Sequence, residues 1–424
     1  MRPETREAGV SQGILLLVAS ALPVMGVVLL SPIAQRLHEV MKSQTGGVDL
    51  APLILTAPAL AIALFSPIAG YMLDKFGRRV CFLAALSIYA LVGTAPLWLD
   101  NPYLIVAVRF CLGMTEAVIL ASTMALVGDY YVGPQRDRWI AYMMAVAALA
   151  ATLFYIMGGV LAGLNWKAPF AAYGMGAIIF LAAIPLIFEP QRQIQTGIAA
   201  DVAQESATVN SGQVWKIGAI LAATFIGSIL FYIVPLQLSR FLEARGVVSY
   251  ATIGVLIAVA GLGNPIGSFS FRYLRAIPFG ILLSASSAVS GIGLALAHAW
   301  PSSTGLVVGA FINQLGCGVL CPLTMAAVLR IAPAQARGKS SGGWSTAFFV
   351  GQFFSPLAVL PLISLDGSGG GLRTLAAANF LFALAALVFF ARKIFEPAAG
   401  VPTRLGAERT ACPGSESPAA AKAP

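Results

Sequence analysis

Twelve runs of about twenty apolar residues, separated by short polar breaks, leave this chain very few folds. A helix that crosses a bilayer needs about 20 largely apolar residues at roughly 1.5 Å each. That window gives Gly13–Ala34, Leu50–Leu73, Val80–Leu99, Tyr103–Val127, Trp139–Ala162 and Ala168–Phe188. A second set follows: Trp215–Leu238, Tyr250–Phe271, Pro278–Ala299, Thr304–Leu329, Gly342–Ile363 and Leu375–Phe390. Only 10% of residues are charged and the mean hydropathy is +0.85. Soluble domains carry roughly 25% charged residues, so this surface needs lipid as part of its solvent.

The expected fold is an all-α membrane protein of twelve transmembrane helices in two six-helix bundles. The bundles are expected at 13–188 and 215–394. A short N-terminal segment (1–12), a polar linker (189–214) and a tail (395–424) rich in Ala, Pro, Gly and Ser, whose composition predicts disorder, are expected on the cytoplasmic side. With that orientation, nineteen of the 26 Lys and Arg fall inside, six fall outside, and Arg109 lies within a span. This asymmetry obeys the positive-inside rule. It accounts for the net charge of +9 and leaves no surplus that calls for nucleic acid.

The halves echo one another. Ser66-Pro67-Ile68-Ala69-Gly70 in span two corresponds to Asn264-Pro265-Ile266-Gly267-Ser268 in span eight. Thr123-Met124-Ala125 in span four corresponds to Thr324-Met325-Ala326 in span ten. Repeats of this kind place a substrate site near the midplane, between halves that rock. They point to a transporter.

Two segments carry charge where charge is costly. Gly70-Tyr71-Met72-Leu73-Asp74-Lys75-Phe76-Gly77-Arg78-Arg79 leaves span two with an acid among three cations, a set able to latch one membrane face. Span four contains Arg109 and Glu116. Seven residues turn a helix through about 700°, so the two groups share a face about 10 Å apart along the axis. A charge at mid-bilayer costs about 2.5–3.5 kcal/mol on insertion scales, so both are expected to face an aqueous cavity. A carboxylic acid that alternates between dry and water-filled surroundings exchanges a proton. Glu116 is thus the expected proton carrier, with Arg109 beside it to bias it or to hold an anion.

The loop after span two resembles the signature G-x-L-A-D-[RK]-x-G-[RK]-[RK] of the major facilitator superfamily, with Met72-Leu73 in place of Leu-Ala. The resemblance implies two pseudo-symmetric six-helix bundles working by alternating access. It also implies a cytoplasmic gate at Gly70, Asp74, Gly77 and Arg78. Arg109-Phe110-Cys111-Leu112-Gly113-Met114-Thr115-Glu116-Ala117 resembles the R-F-L-L-G-x-x-E-A pattern of the family's organic-anion symporters. Met25-Gly26 followed by Pro32-Ile33-Ala34 resembles instead the first-span motif of its drug:proton antiporters, with Gln35 at the final Pro position. The span-five antiport motif is half present: Gly158-Gly159 remain, while Phe154-Tyr155 stand where Gly-Pro belongs.

The expected activity is proton-coupled secondary transport of a small organic molecule, with export favoured over uptake of an organic anion. A non-transporting membrane sensor on the same fold is the remote alternative. Tyr155, Tyr232, Asn313, Gln314 and Gln352 join Arg109 as expected cavity-lining groups. No cofactor or metal is expected beyond the proton gradient, and no enzymatic activity. The five cysteines include Cys317 and Cys321 one turn apart, read as packing residues. Gly338-Lys339-Ser340 lacks the earlier glycine of a phosphate-binding loop, which argues against ATP-driven transport. A monomer in a plasma or bacterial inner membrane completes the expectation.

Overall fold

The computed structural model describes residues 8–190, 211–333, 336–364 and 367–390. The expected tail lies outside the described residues, as do most of the N-terminal segment and of the linker. Among the described residues, twelve helices are long and apolar enough to cross a membrane. They are α1 (Val10–Gln44), α2 (Ala51–Phe76), α3 (Arg78–Leu97), α4 (Pro102–Tyr130), α5 (Gly133–Ala162) and α6 (Ala168–Leu186). The second six are α7 (Gly212–Glu243), α8 (Tyr250–Leu274), α9 (Phe279–Ala299), α10 (Ser303–Ile331), α11 (Gly338–Pro361) and α12 (Gly371–Phe390). No strand occurs among the described residues. Lipid offers no partner to a bare N–H or C=O, so the spans satisfy their backbone within their own helices except where a proline or a helix break frees a carbonyl.

Helix ends are set by local chemistry. Asn101 caps α4 by accepting from the Tyr103 amide at 2.9 Å, with Pro102 at the first helical position. Ser302 caps α10 through the Gly305 amide at 3.0 Å. Several helices outrun the apolar windows. α1 continues through a 3-10 turn at Ser31–Ile33 into a polar arm, Ala34–Gln44, which buries Leu37 and Met41 one turn apart. At 35 residues α1 spans roughly 50 Å, so the arm projects beyond a hydrocarbon core of about 30 Å.

Small residues let the helices approach. A Cβ at Gly113 of α4 would overlap the Pro58 carbonyl of α2, and one at Gly318 of α10 would overlap the Asn264 carbonyl of α8. Membrane helices associate through such backbone-close contacts, because lipid removes the hydrophobic drive between them.

The two six-helix bundles meet along α2 and α11, where Thr346 Oγ1 donates to the Ala63 carbonyl at 3.5 Å and Phe349 packs on Ile62 and Ala117, and again toward one end. There a single apolar core joins Leu29, Ile33 and Leu37 of α1 to Ile233, Leu238 and Leu242 of α7 and to Ile253 of α8. Ser31 Oγ donates to the Pro235 carbonyl across the same seam at 2.5 Å. Adjacent glycines on α5 serve both sides of it. Gly158 lies on the Leu29 carbonyl within its own half, and Gly159 lies on Gly254 and the Tyr250 carbonyl of α8. Toward the Gly70–Arg79 loop the second half keeps a separate core of Ile220, Phe279, Leu283, Leu320 and Phe390. The seam lies on the face that the basic residues assign to the outside.

Candidate functional site

Mid-span proline governs the geometry around Arg109. Pro58 has no N–H, so it cannot bond the carbonyl four residues earlier, that of Ile54. Arg109 Nε donates to that freed oxygen at 2.8 Å. Its Nη1 donates to the Tyr173 hydroxyl at 2.7 Å, and its Nη2 donates to the Gly26 carbonyl. Gly26 lies in the last turn of the first α1 segment, Val10–Val28, where carbonyls lack helical donors. One guanidinium from α4 therefore clips α1, α2 and α6 together. Tyr173 also donates to the Met25 carbonyl at 3.3 Å, and the neighbouring Tyr89 donates to Leu22 at 3.0 Å.

Glu116 meets α1 at the same residue. A side chain at Gly26 would overlap its carboxylate, and both Glu116 oxygens are buried with no hydrogen-bond partner. The shared face expected from the seven-residue spacing is thus present: Arg109 and Glu116 both abut Gly26, without bonding each other. The aqueous setting expected for them is absent in this conformation. Arg109 is 1% and Glu116 0% exposed, because α1 closes over both. Arg109 accordingly stands inside the helix packing and not on a cavity wall.

The second half repeats the proline device. Pro235 frees the Phe231 carbonyl of α7, and Gln314 Nε2 of α10 donates to it at 3.3 Å. Asn313 donates to the Ser290 carbonyl at 3.1 Å and to its hydroxyl at 2.5 Å, and that hydroxyl donates to Asn379 at 3.0 Å. Asn313 and Gln314 are therefore interhelical fasteners. The other expected cavity residues lie nearer the junction of the halves. Tyr155 of α5 is buried, and a Cβ on Gly261 of α8 would stand 3.4 Å from its ring. Tyr232 marks the break in α7, its ring 4.8 Å from Phe231 and 5.7 Å from Phe348 of α11. Gln352, one turn after Phe348, is buried with both amide atoms unpartnered.

At the signature loop, Gly77 adopts φ +90°, a conformation glycine takes without strain, and turns α2 into α3. Asp74 is exposed at the end of α2. Gly70 has open space beside it, so no close helix approach uses it in this state. Arg78 pairs with Asp129 at the end of α4. Glu189 accepts from the Arg78 and Arg79 amides at 2.7 and 2.8 Å, capping α3. Sequence reasoning missed Tyr173, Asp129 and Glu189. Asp129 sits at the same membrane face as the loop, which was a usable signal. Tyr173 offered none.

A family profile described as Major Facilitator Superfamily matches residues 14–289. An uncharacterized MFS-type transporter, YceJ of Bacillus subtilis (strain 168), is 26% identical over 332 residues, covering 76% of this chain and 82% of that protein. The quinolone resistance protein NorA of Staphylococcus aureus (strain MSSA476) is 24% identical over 325 residues, covering 73% and 80%. Among solved structures, a D-xylose-proton symporter superposes with a TM-score of 0.71 at 15% identity, covering 89% of this chain and 97% of that one.

Proposed function

Because the chain belongs to the major facilitator superfamily, a family of transporters and not enzymes, we propose that it exports a small organic molecule by alternating access in exchange for protons. The observation that carries the coupling is Glu116: a fully buried carboxylic acid without a hydrogen-bond partner, packed where α4 meets the glycine of α1. With no hydrogen bond to hold its charge, an ionised carboxylate costs more there than a protonated one. When the halves rock and water reaches the α1–α4 contact, the balance reverses and the proton leaves.

Export is favoured over organic-anion uptake by the fate of Arg109. Its guanidinium is turned to Ile54, Gly26 and Tyr173 inside the helix packing and is 1% exposed, so it presents no face to a cavity that could hold an anion. The resistance function named for NorA points the same way. Tyr155, Tyr232 and Gln352 are the groups assigned to substrate, and the protein is assigned to a plasma or bacterial inner membrane with both termini cytoplasmic.

Proteoliposomes with an imposed pH gradient and a labelled quinolone test the assignment. Antiport concentrates the label against proton flow. Glu116→Gln should abolish the gradient dependence while counterflow exchange persists. Gradient-driven accumulation that survives in Glu116→Gln refutes the coupling, and accumulation along proton flow refutes export.

A further inference from the structure

The outer seam contains acid chemistry that the coupling site does not use. Where α7 ends against the α1 arm, Ser239 Oγ and Glu243 Oε1 lie one helical turn apart, both buried and both without a hydrogen-bond partner. Facing them from the α1 arm are Arg36 and Glu39, themselves paired at 3.1 Å, and both charges reach Glu243. From the first turn of α8, Tyr250 lies within reach of Glu243, Glu39 and Arg36. The other charged groups nearby are Arg240, one turn earlier on α7, and Arg245. Arg245 donates to the carbonyls of Ala297 and Ser302 at 2.6 and 2.7 Å. His38 and Lys42, further along the arm, act on Asp49.

Two carboxylates thus face one another across the joint between the halves, and the arginine beside them is paired with only one. Arg36 bonds Glu39 and leaves Glu243 with a dry oxygen opposite a like charge. Closing the seam on an ionised Glu243 costs its desolvation and its repulsion from Glu39. Closing it on the neutral acid removes the repulsion and most of the desolvation cost.

We propose that Glu243 is a second proton-binding site, reached from the outer face, and that its protonation holds the outer seam closed. Alternating access supplies the open state in which water reaches it. Acid outside then favours return to the conformation seen here. The proposal does not depend on Glu116 carrying the transported proton.

Spin labels on Val48→Cys and Val248→Cys report the seam, since both loop residues are exposed and belong to opposite halves. They are placed in a full-length chain whose five native cysteines are alanine, and distances are measured in nanodiscs at pH 8 and pH 5. Acidification should raise the ratio of short to long distances about tenfold, the shift that a tenfold difference in proton affinity between two states produces. Glu243→Gln should stay short at both pH values, and Glu116→Gln should keep the shift. Glu39→Gln, which leaves Glu243 in place, should move the transition to lower pH, and it decides the matter if Glu243→Gln does not fold. An unresponsive parent chain, a shift retained in Glu243→Gln but lost in Glu116→Gln, or a transition unmoved by Glu39→Gln overturns the proposal.

Discussion

Replacing Arg109 with lysine separates a structural clip from a proton-handling group. The guanidinium bonds oxygens on three different helices: Ile54 on α2, Gly26 on α1 and Tyr173 on α6. An ammonium is a single point of charge and lacks the planar fork. If it keeps one of the three, two buried acceptors lose their donors at about 1–3 kcal/mol each. Arg109→Lys should therefore destabilise the protein by about 2–6 kcal/mol, read by equilibrium unfolding in mixed micelles. The proline supplies the control. Pro58→Ala restores an N–H four residues after Ile54, so it should return part of the loss when combined with Arg109→Lys. Interhelical hydrogen bonds in membranes show coupling energies of about 0.6 kcal/mol on average and about 1.7 at most, which sets the rescue to expect. Strict additivity of the two substitutions, or an Arg109→Lys protein as stable as its parent, refutes the reasoning.

Gly26→Ala places a methyl group on the Glu116 carboxylate; transport should fall at least about tenfold (~1.4 kcal/mol), and Gly26→Ala/Glu116→Ala should be as stable as Glu116→Ala alone. Gly159→Val pushes α5 off Gly254 and should widen the outer seam, seen as faster modification of cysteines placed there. Arg78→Ala removes a partly exposed pair with Asp129, both side chains under a third exposed and the pair worth about 1 kcal/mol, so unfolding should barely change while transport slows. Burial raises the Asp49 carboxyl, but its hydrogen bond and charge attraction to His38 and the Ala51 amide outweigh that and hold it below the usual carboxylate range. Its contribution is present above the ordinary carboxyl range and fades as pH falls through the lowered value; Asp49→Asn should flatten the pH dependence of melting between pH 5 and 3.

Much of this architecture is legible from residue order because lipid imposes a simple rule. Apolar length alone locates the spans, and the seven-residue interval correctly turned Arg109 and Glu116 to one face. What failed was the surroundings of that face. An intramembrane charge was expected to need water, yet Arg109 is satisfied by carbonyls that Pro58 and the end of the first α1 segment leave bare. Pro58 is visible in the sequence; which side chain answers it depends on how α4 crosses α2, and that is a tertiary fact. The same holds for Gln314 and Pro235. The α1 arm was missed for another reason: its polar composition resembles a loop, although Leu37 and Met41 one turn apart mark its buried stripe.

Gly158 and Gly159 give the outer joint a mechanical character. One glycine fastens α5 to its own half, and the next rests on the main chain of α8. At that point the two halves meet main chain to main chain, glycine against glycine. Such a bearing needs no rotamer changes before it parts. What holds the halves together around it is the apolar core that joins Leu29, Ile33 and Leu37 to Ile233, Leu238 and Leu242.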